Sequence, residues 1–394
     1  MDPRSGGVCQ AIRTTIPELQ KLGCTSEVVC VDSPELDYQV HDPFKLHKLG
    51  PRVGPWAYSK RLAPWLRNHA NQFDTLIVHG LWSYHSYVTL KIISQYRSKH
   101  GNTGPAVYVM PHGMLDPWFQ RDASRRLKAW RNWWYWKLIE KNVISQADGL
   151  LFTCQKELEL AREPFRPYRP KAEAKVGLGV AEPPSETDAM QTAFRAACPQ
   201  LNGRPYWLFL SRIHPKKGVE LLLKAYALLA KEPNLAGKLP ALVIAGPTDS
   251  AYAQQMQQLA RELGAPQVYF PGMLIGDAKW GAFYGCEAFV LPSHQENFGI
   301  AVVESLACHK PVLISNQINI YQEIVDRNAG IVGQDTQEGV IGLLRAWLSR
   351  SELQRAEMQS NARACFLELF QATSAARRLA EALCFRGERL EARG

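Results

Sequence analysis

Two acids eight residues apart, Glu296 and Glu304, stand in the segment LPSHQENFGIAVVESLACHKPVLIS, residues 291–315. An apolar run closes at Leu291, a polar loop follows, and a helix is predicted to begin near Gly299. The amide N–H groups of Asn297, Phe298, Gly299 and Ile300 would then surround an anion, which the helix dipole favours. One carboxylate would meet sugar hydroxyls at the helix entrance, and the other a ribose further along it. The plainer reading makes Glu296 a charge at a helix N-terminus and Glu304 part of a solvated face. A second cluster lies in LFLSRIHPKKG, residues 208–218. Arg212 there offers a planar fork that grips phosphate bidentately, and Lys217 a point charge, although Lys216-Lys217 also reads as a solvated turn. The third is His112 in VMPHGMLDPW, residues 109–118, whose ring can donate or accept a proton near neutral pH. A lone histidine is more commonly a satisfied turn residue, and the same holds for His79 in HGLWSY.

Each cluster follows a short apolar run, and open α/β sheets bind ligands beyond the carboxyl ends of their strands. Such runs recur at 27–32, 75–80, 106–113, 149–154 and 174–180, then at 206–213, 241–247, 267–273, 288–294, 311–316 and 330–333. Longer amphipathic stretches separate them, which predicts parallel sheets flanked by helices. The length of 394 residues exceeds one ordinary core. The expected division is a first α/β domain over 1–182, a connection over 183–204 with Pro-Pro and Asn-Gly signals, a second α/β domain over 205–370, and a helical tail over 371–394.

Composition and absent motifs narrow the function. With 46% hydrophobic and 21% charged residues the chain is globular rather than disordered. A formal charge of +9 suits an anionic ligand or surface but not a dedicated nucleic-acid binder, so no nucleic-acid partner is expected. The nine cysteines include no Cys-x-x-Cys pair, against a disulfide framework or zinc ribbon. No apolar run reaches membrane-spanning length and the first residues lack a signal-peptide core, so the expected location is cytoplasmic. The phosphate-binding G-x-x-x-x-G-K-[ST], the G-x-S-x-G elbow and H-E-x-x-H are missing, and Gly177-Leu178-Gly179 lacks the third glycine of a dinucleotide fingerprint. No two aspartates stand two apart to clamp a metal onto a diphosphate, so neither metal nor cofactor is expected.

The segment from Leu291 to Ser315 resembles the E-x7-E signature of retaining family 4 glycosyltransferases with the GT-B fold, enzymes that use nucleotide sugars. LFLSRIHPKKGVELLLKA resembles the family's G-R-x-x-x-x-K-G turn, with Ser211 where glycine is usual. ALVIAGP and EIVDRNAGIVG resemble its nucleotide-base segments, and VMPHGMLDPW and HGLWSY resemble a subgroup that builds bacterial surface polysaccharides. The resemblance implies two Rossmann-like domains facing across a cleft, with the last helices returning to the first domain. It implies that Arg212 and Lys217 bind the donor diphosphate, Glu296 the sugar and Glu304 the ribose, and that His112 lies at the reaction centre. Pro3-x-x-Gly6-Gly7 resembles the family's glycine loop facing donor phosphate and acceptor. The family places a β-strand before that loop, and here Met1 opens directly onto it. The expectation is therefore a shortened variant, or a start lying further upstream.

The implied reaction is retaining, metal-independent transfer to a saccharide or polyprenyl-linked acceptor. The rivals are a nucleotide-sugar epimerase or phosphorylase on the same fold, and a catalytically inactive binding subunit. A glycoside hydrolase fits less well, because its two carboxylates flank the scissile bond whereas Glu296 and Glu304 share one loop–helix unit. A last motif is RDASRRLKAWRNWWYWKLIEK, residues 121–141, where basic residues alternate with Trp130, Trp133, Trp134, Tyr135 and Trp136. Adjacent aromatics cannot all share one helix face. Some must point away from the core, towards an acceptor or an anionic membrane surface at the inner face of the plasma membrane.

Overall fold

The computed structural model describes residues 1–2, 7–101, 103–121, 125–235, 237–265 and 267–384. The chain forms two compact units, Val180–Gln371 and the remainder, to which Met1–Gly179 and the stretch from Ala372 onward contribute.

The second unit is built on a six-stranded parallel sheet. Six strands of the first unit precede it along the chain, β1 (Glu27–Cys30), β2 (Lys45–Lys48), β3 (Thr75–His79), β4 (Ala106–Met110), β5 (Gly149–Phe152) and β6 (Glu173–Lys175). The second unit adds β7 (Tyr206–Leu210), β8 (Ala241–Ala245), β9 (Val268–Gly272), β10 (Ala288–Leu291), β11 (Val312–Ser315) and β12 (Gly330–Gly333). Their order is β12-β11-β10-β7-β8-β9, with Leu208 of β7 registered on Val243 on one side and Phe289 on the other. Strands covered by helices on both faces read as unbroken apolar runs, and β8, β10 and β11 are buried at every position. The order reverses between β10 and β7, and in such sheets ligands sit beyond the carboxyl ends at the reversal.

Residues 183–204 are not the connection that their Pro-Pro and Asn-Gly signals suggested. They contain the helix Asp188–Ala197, capped by the Thr187 hydroxyl, which accepts from the Met190 amide. Met190 and Phe194 share one buried face, and the helix packs on Gly276–Gly285 so closely that a Cβ on Gly281 would come within 2.1 Å of the Met190 carbonyl. The segment belongs to the second unit, and Met190 and Phe194 are buried there.

The first unit has two sheets. The pair β1-β2 is separate from β3-β4-β5-β6, and all of these strands run parallel. A cavity of about 2110 Å³ is bordered by β1 and the two residues after it, to Asp32, and by β3 from Thr75 to His79. Among the described residues no strand precedes β1. Met1 is buried in this region, its ammonium paired with Asp32 beyond the end of β1 and its carbonyl accepting from Arg13 at 2.7 Å. The helix Ala372–Cys384 packs on the helix Gly7–Lys21, and the Thr373 hydroxyl donates to Glu18 at 2.8 Å. No described helix is long and apolar enough to cross a membrane.

Candidate active site

In the second unit the turn after β7 carries the cationic residues. Arg212 is exposed just past the strand, and Pro215–Lys217 form a single 3-10 turn whose Lys216 amide donates to the His214 ring at 3.2 Å. Gly218 follows with φ of 68° and lies so close to β10 that a Cβ would come within 2.0 Å of the Pro292 carbonyl. Only glycine satisfies both demands. This tight turn buries Lys217 and directs its ammonium onto the Glu296 carboxylate in an ion pair. An ammonium has three donors, so the pair leaves capacity for a phosphate oxygen. The positive field is visible at His214, whose pKa is lowered by burial and then by the charges of Arg212, Lys216 and Lys217.

The loop after β10 brings the acids. Backbone bonds hold Glu296 in place: its amide donates to the Gln317 carbonyl at 3.0 Å, and its own carbonyl accepts from the Asn319 amide at 3.0 Å. Asn297 accepts from the Asn319 side chain at 3.3 Å, while Phe298 is buried edge-on against Phe370. Gly299, at φ of 78°, opens the helix Ile300–Ala307, which no side chain caps. The Gly299 carbonyl accepts from the Val302 and Val303 amides at 2.9 and 3.2 Å, and the amides ahead of them at the helix entrance suit an anion. The structure brings Lys217, Glu296 and this helix terminus together. Glu304 is not on a solvated face: it is held by the Lys279 ammonium at 2.7 Å, and burial pushes its carboxyl up against the lowering effect of that lysine. Lys279 also lies 4.5 Å above the Trp280 ring.

In the first unit His112 follows β4 in a left-handed backbone conformation, φ 52°, a strain of about 1–3 kcal/mol for a non-glycine residue. Its Nε2 lies 2.9 Å from Nδ1 of His79, and the His79 carbonyl is 3.0 Å from Nε2 of His85. Desolvation, then the neighbouring His85, lowers His79 to about 4; desolvation, then His79, lowers His112 to about 3. Both rings are neutral at pH 7, so one donates and the other accepts.

Two buried acids that the sequence did not single out hold these loops. Glu157 accepts from the Gly113 amide with one oxygen, and with the other from the Thr153 amide and hydroxyl at 2.7 and 2.6 Å. Glu140 accepts from the Trp82 amide at 2.6 Å and the Ser86 hydroxyl at 3.0 Å, and burial raises its carboxyl to about 7. Gly7 is exposed at the start of the helix Gly7–Lys21, whereas Gly6 lies outside the described residues.

Comparison with known proteins gives the family and the fold. Residues 191–364 match the family described as Glycosyl transferases group 1, and residues 6–174 match the Glycosyl transferase 4-like domain. The chain is 30% identical over 222 residues to D-inositol 3-phosphate glycosyltransferase 2 of Catenulispora acidiphila, covering 52% of this chain and 50% of that one. It is 28% identical over 275 residues to the D-inositol 3-phosphate glycosyltransferase of Saccharomonospora viridis, covering 64% and 60%. It thus spans about half to three fifths of these relatives. Among solved structures, sucrose-phosphate synthase from Thermosynechococcus elongatus superposes with a TM-score of 0.66 at 19% identity, covering 99% of this chain and 94% of that one. Anabaena HepE in complex with UDP gives 0.70 at 16% identity, covering 96% of each chain. These likenesses establish the fold as GT-B, with two Rossmann-like domains.

Proposed function

From the premise that this chain belongs to the group 1, family 4 glycosyltransferases, we propose that it transfers a glycosyl group from a nucleotide-diphosphate sugar to a hydroxyl acceptor with retention at the anomeric carbon. The observation that carries this reading is the single cluster of Arg212, Lys217, Glu296 and the start of the helix Ile300–Ala307 at the strand-order reversal. Arg212, Lys217 and the amides of Asn297, Phe298, Gly299 and Ile300 leading into that helix would stabilise the departing diphosphate electrostatically. Glu296, fixed by Lys217 and by its backbone bonds, would orient the sugar hydroxyls. Glu304 would orient the ribose, with Lys279 fixing its carboxylate. Neutral His112 would offer its ring to the transferring group, its loop held by Glu157.

In this reading the bond from the anomeric carbon to the diphosphate breaks, and a bond to the acceptor oxygen forms on the same face. The acceptor's proton leaves with the diphosphate. The cationic cluster neutralises that leaving group, so the reaction is expected to need no metal. The acceptor we propose is a saccharide on a polyprenyl carrier, met at an anionic membrane surface on the inner face of the plasma membrane. The names of the relatives favour a second acceptor class, a phosphorylated cyclitol.

The test is a thermal-shift panel of nucleoside diphosphates and nucleotide sugars, where a ligand at about 100 times its Kd stabilises by about 2.7 kcal/mol. Transfer assays then use polyprenyl-linked saccharides and D-inositol 3-phosphate, each with and without chelator. Acceptor-dependent release of the nucleoside diphosphate, with retained anomeric configuration and unchanged rate in chelator, supports the reading. Acceptor-independent epimerisation or phosphorolysis, nucleotide binding without turnover, or loss of activity restored by manganese would overturn it.

A further inference from the structure

The helix Arg126–Tyr135 runs into a π-helical turn at Trp136–Glu140, and together they sort the aromatic run by side. Asn132, Trp136 and Glu140, spaced four apart, are buried, with Trp136 stacked on Phe165 at 4.8 Å. The side chains of Leu127, Trp130, Trp134 and Leu138, spaced three and four apart, are exposed by 86%, 67%, 45% and 69%. That spacing lays them along one face of the helix. Trp133, 44% exposed, packs edge-on against Trp134 at 5.0 Å and so widens the stripe. This is an apolar surface turned to solvent, not a core.

Its surroundings are cationic. Residues 125–139 contain Arg125, Arg126, Lys128, Arg131 and Lys137 and no acid. Glu140, the next acid along the chain, is buried and accepts two hydrogen bonds from the protein. Arg126, Lys128 and Arg131 are exposed, and Lys137 lies 5.3 Å above the Trp133 ring. Tryptophan settles at the headgroup level of a bilayer, and basic residues beside it are drawn to anionic lipid. A protein partner of matching shape would need a row of acids around an apolar groove, whereas an anionic leaflet supplies both features without any specific sequence.

We propose that this face is a membrane-docking surface. The stripe from Leu127 to Leu138 enters the interfacial region of an anionic leaflet, and Arg126, Lys128 and Arg131 engage lipid phosphates. For its purpose the proposal rests on the polyprenyl-linked acceptor reading above. For its physics it rests only on this exposed face.

The test is co-sedimentation of the whole chain with vesicles of phosphatidylcholine alone or mixed with phosphatidylglycerol, at low and high salt. Wild-type protein is expected to partition at least tenfold more strongly to the mixed vesicles, and less so as salt rises. Arg126→Gln/Lys128→Gln/Arg131→Gln is expected to lose that preference, and Trp130→Ser/Trp134→Ser to weaken binding at least tenfold even at low salt. Both variants should retain wild-type thermal midpoints and wild-type transfer to a water-soluble acceptor. No binding, equal binding to both vesicles, or variants that bind like wild type would overturn the proposal. So would a wild-type dimer, by sedimentation velocity without lipid, that the tryptophan variant dissociates. Vesicle binding in a chain that transfers no sugar would leave the docking surface standing and remove the catalytic reading instead.

Discussion

The two units use the same strand–helix alternation and reach different degrees of closure. In Val180–Gln371 one sheet carries all six strands, and of its inner strands β8, β10 and β11 are buried at every position and β7 at all but Leu210. In the first unit β1 is only half-buried at every position, and a cavity separates it from β3. The candidate sites differ in the same way. The second unit builds its site from backbone geometry at strand ends, where Gly218 and Gly299 permit turns that no other residue fits, and from charges that face one another. The first unit holds His112 and the Trp82 loop with side chains reaching from afar, Glu157 and Glu140. Both sites join residues distant in sequence, Lys217 and Glu296 across 79 residues and Trp82 and Glu140 across 58, and the second unit's site adds tight glycine turns at its strand ends.

The largest expected effect probes that contrast in stability. Leu208 is fully buried between β8 and β10, so Leu208→Ala should cost about 2–5 kcal/mol. Val28→Ala in half-buried β1 should cost less than half as much. Urea denaturation of both variants checks this, and equal losses would show that β1 is as firmly integrated as β7.

Next come the charges of the second unit. Lys217→Ala, Arg212→Ala and Glu296→Ala should each lower kcat by about 2–4 kcal/mol of transition-state stabilisation, with thermal midpoints near wild type. Because Lys217 and Glu296 are paired, the double variant should lose less than the sum of the two single ones. Near-wild-type rates in all three single variants would remove the cluster from the mechanism.

How far this was legible from sequence follows the same division. Every strand of the second unit is an apolar run that the sequence marks within a few residues, and the E-x7-E and Arg212/Lys217 clusters lie at their ends. In the first unit β2 reads KLHK, a short basic strand with no apolar alternation to reveal it. The helix Asp188–Ala197 was hidden by flanking turn signals, although Thr187 and the spacing of Met190 and Phe194 mark a capped amphipathic helix. Glu140, Glu157 and Lys279 were invisible for a different reason. Their partners lie 58, 44 and 25 residues away, and only the tertiary fold brings such pairs together.

A smaller effect concerns the cavity beside β1. Fusing a short β-branched segment ahead of Met1 is expected to place an extended strand against the exposed edges of β1 and β3. An increase in the unfolding midpoint of about 2–4 °C corresponds to about 1 kcal/mol for a domain of this size. Protection of β1 and β3 amides from hydrogen exchange should rise with it, while β7 and β8 stay unchanged. A lower midpoint or unaltered exchange would mean that the cavity does not accept a strand.

The last effect appears only as pH is varied. Glu140 is raised by burial from 4.5 to about 7. Between those values the unfolded chain has released this proton and the folded chain retains it, so stability falls as pH rises from about 4.5 to 7 and then levels. His79 and His112 act in the opposite sense. Their lowered pKa values leave the unfolded state binding more protons below 6.5, so they cost stability as pH falls from 6.5 towards about 4. Wild-type curves mix the two trends, and Glu140→Gln separates them. The amide oxygen can still accept from the Trp82 amide and the Ser86 hydroxyl, and the group no longer titrates. Its new N–H donors fall where the second carboxylate oxygen is buried without a partner, which offsets part of the gain. Each pH step of one between the unfolded and folded values is worth about 1.4 kcal/mol, and that offset, being independent of pH, leaves the slope unchanged. The stability of Glu140→Gln relative to wild type should therefore rise by roughly 3 kcal/mol across the range from about pH 4.5 to 7.5. Urea midpoints at intervals across this range measure it. Parallel curves would mean that Glu140 is ionised throughout in the folded protein, and that the loop carrying Trp82 is held by a charge rather than by a neutral acid.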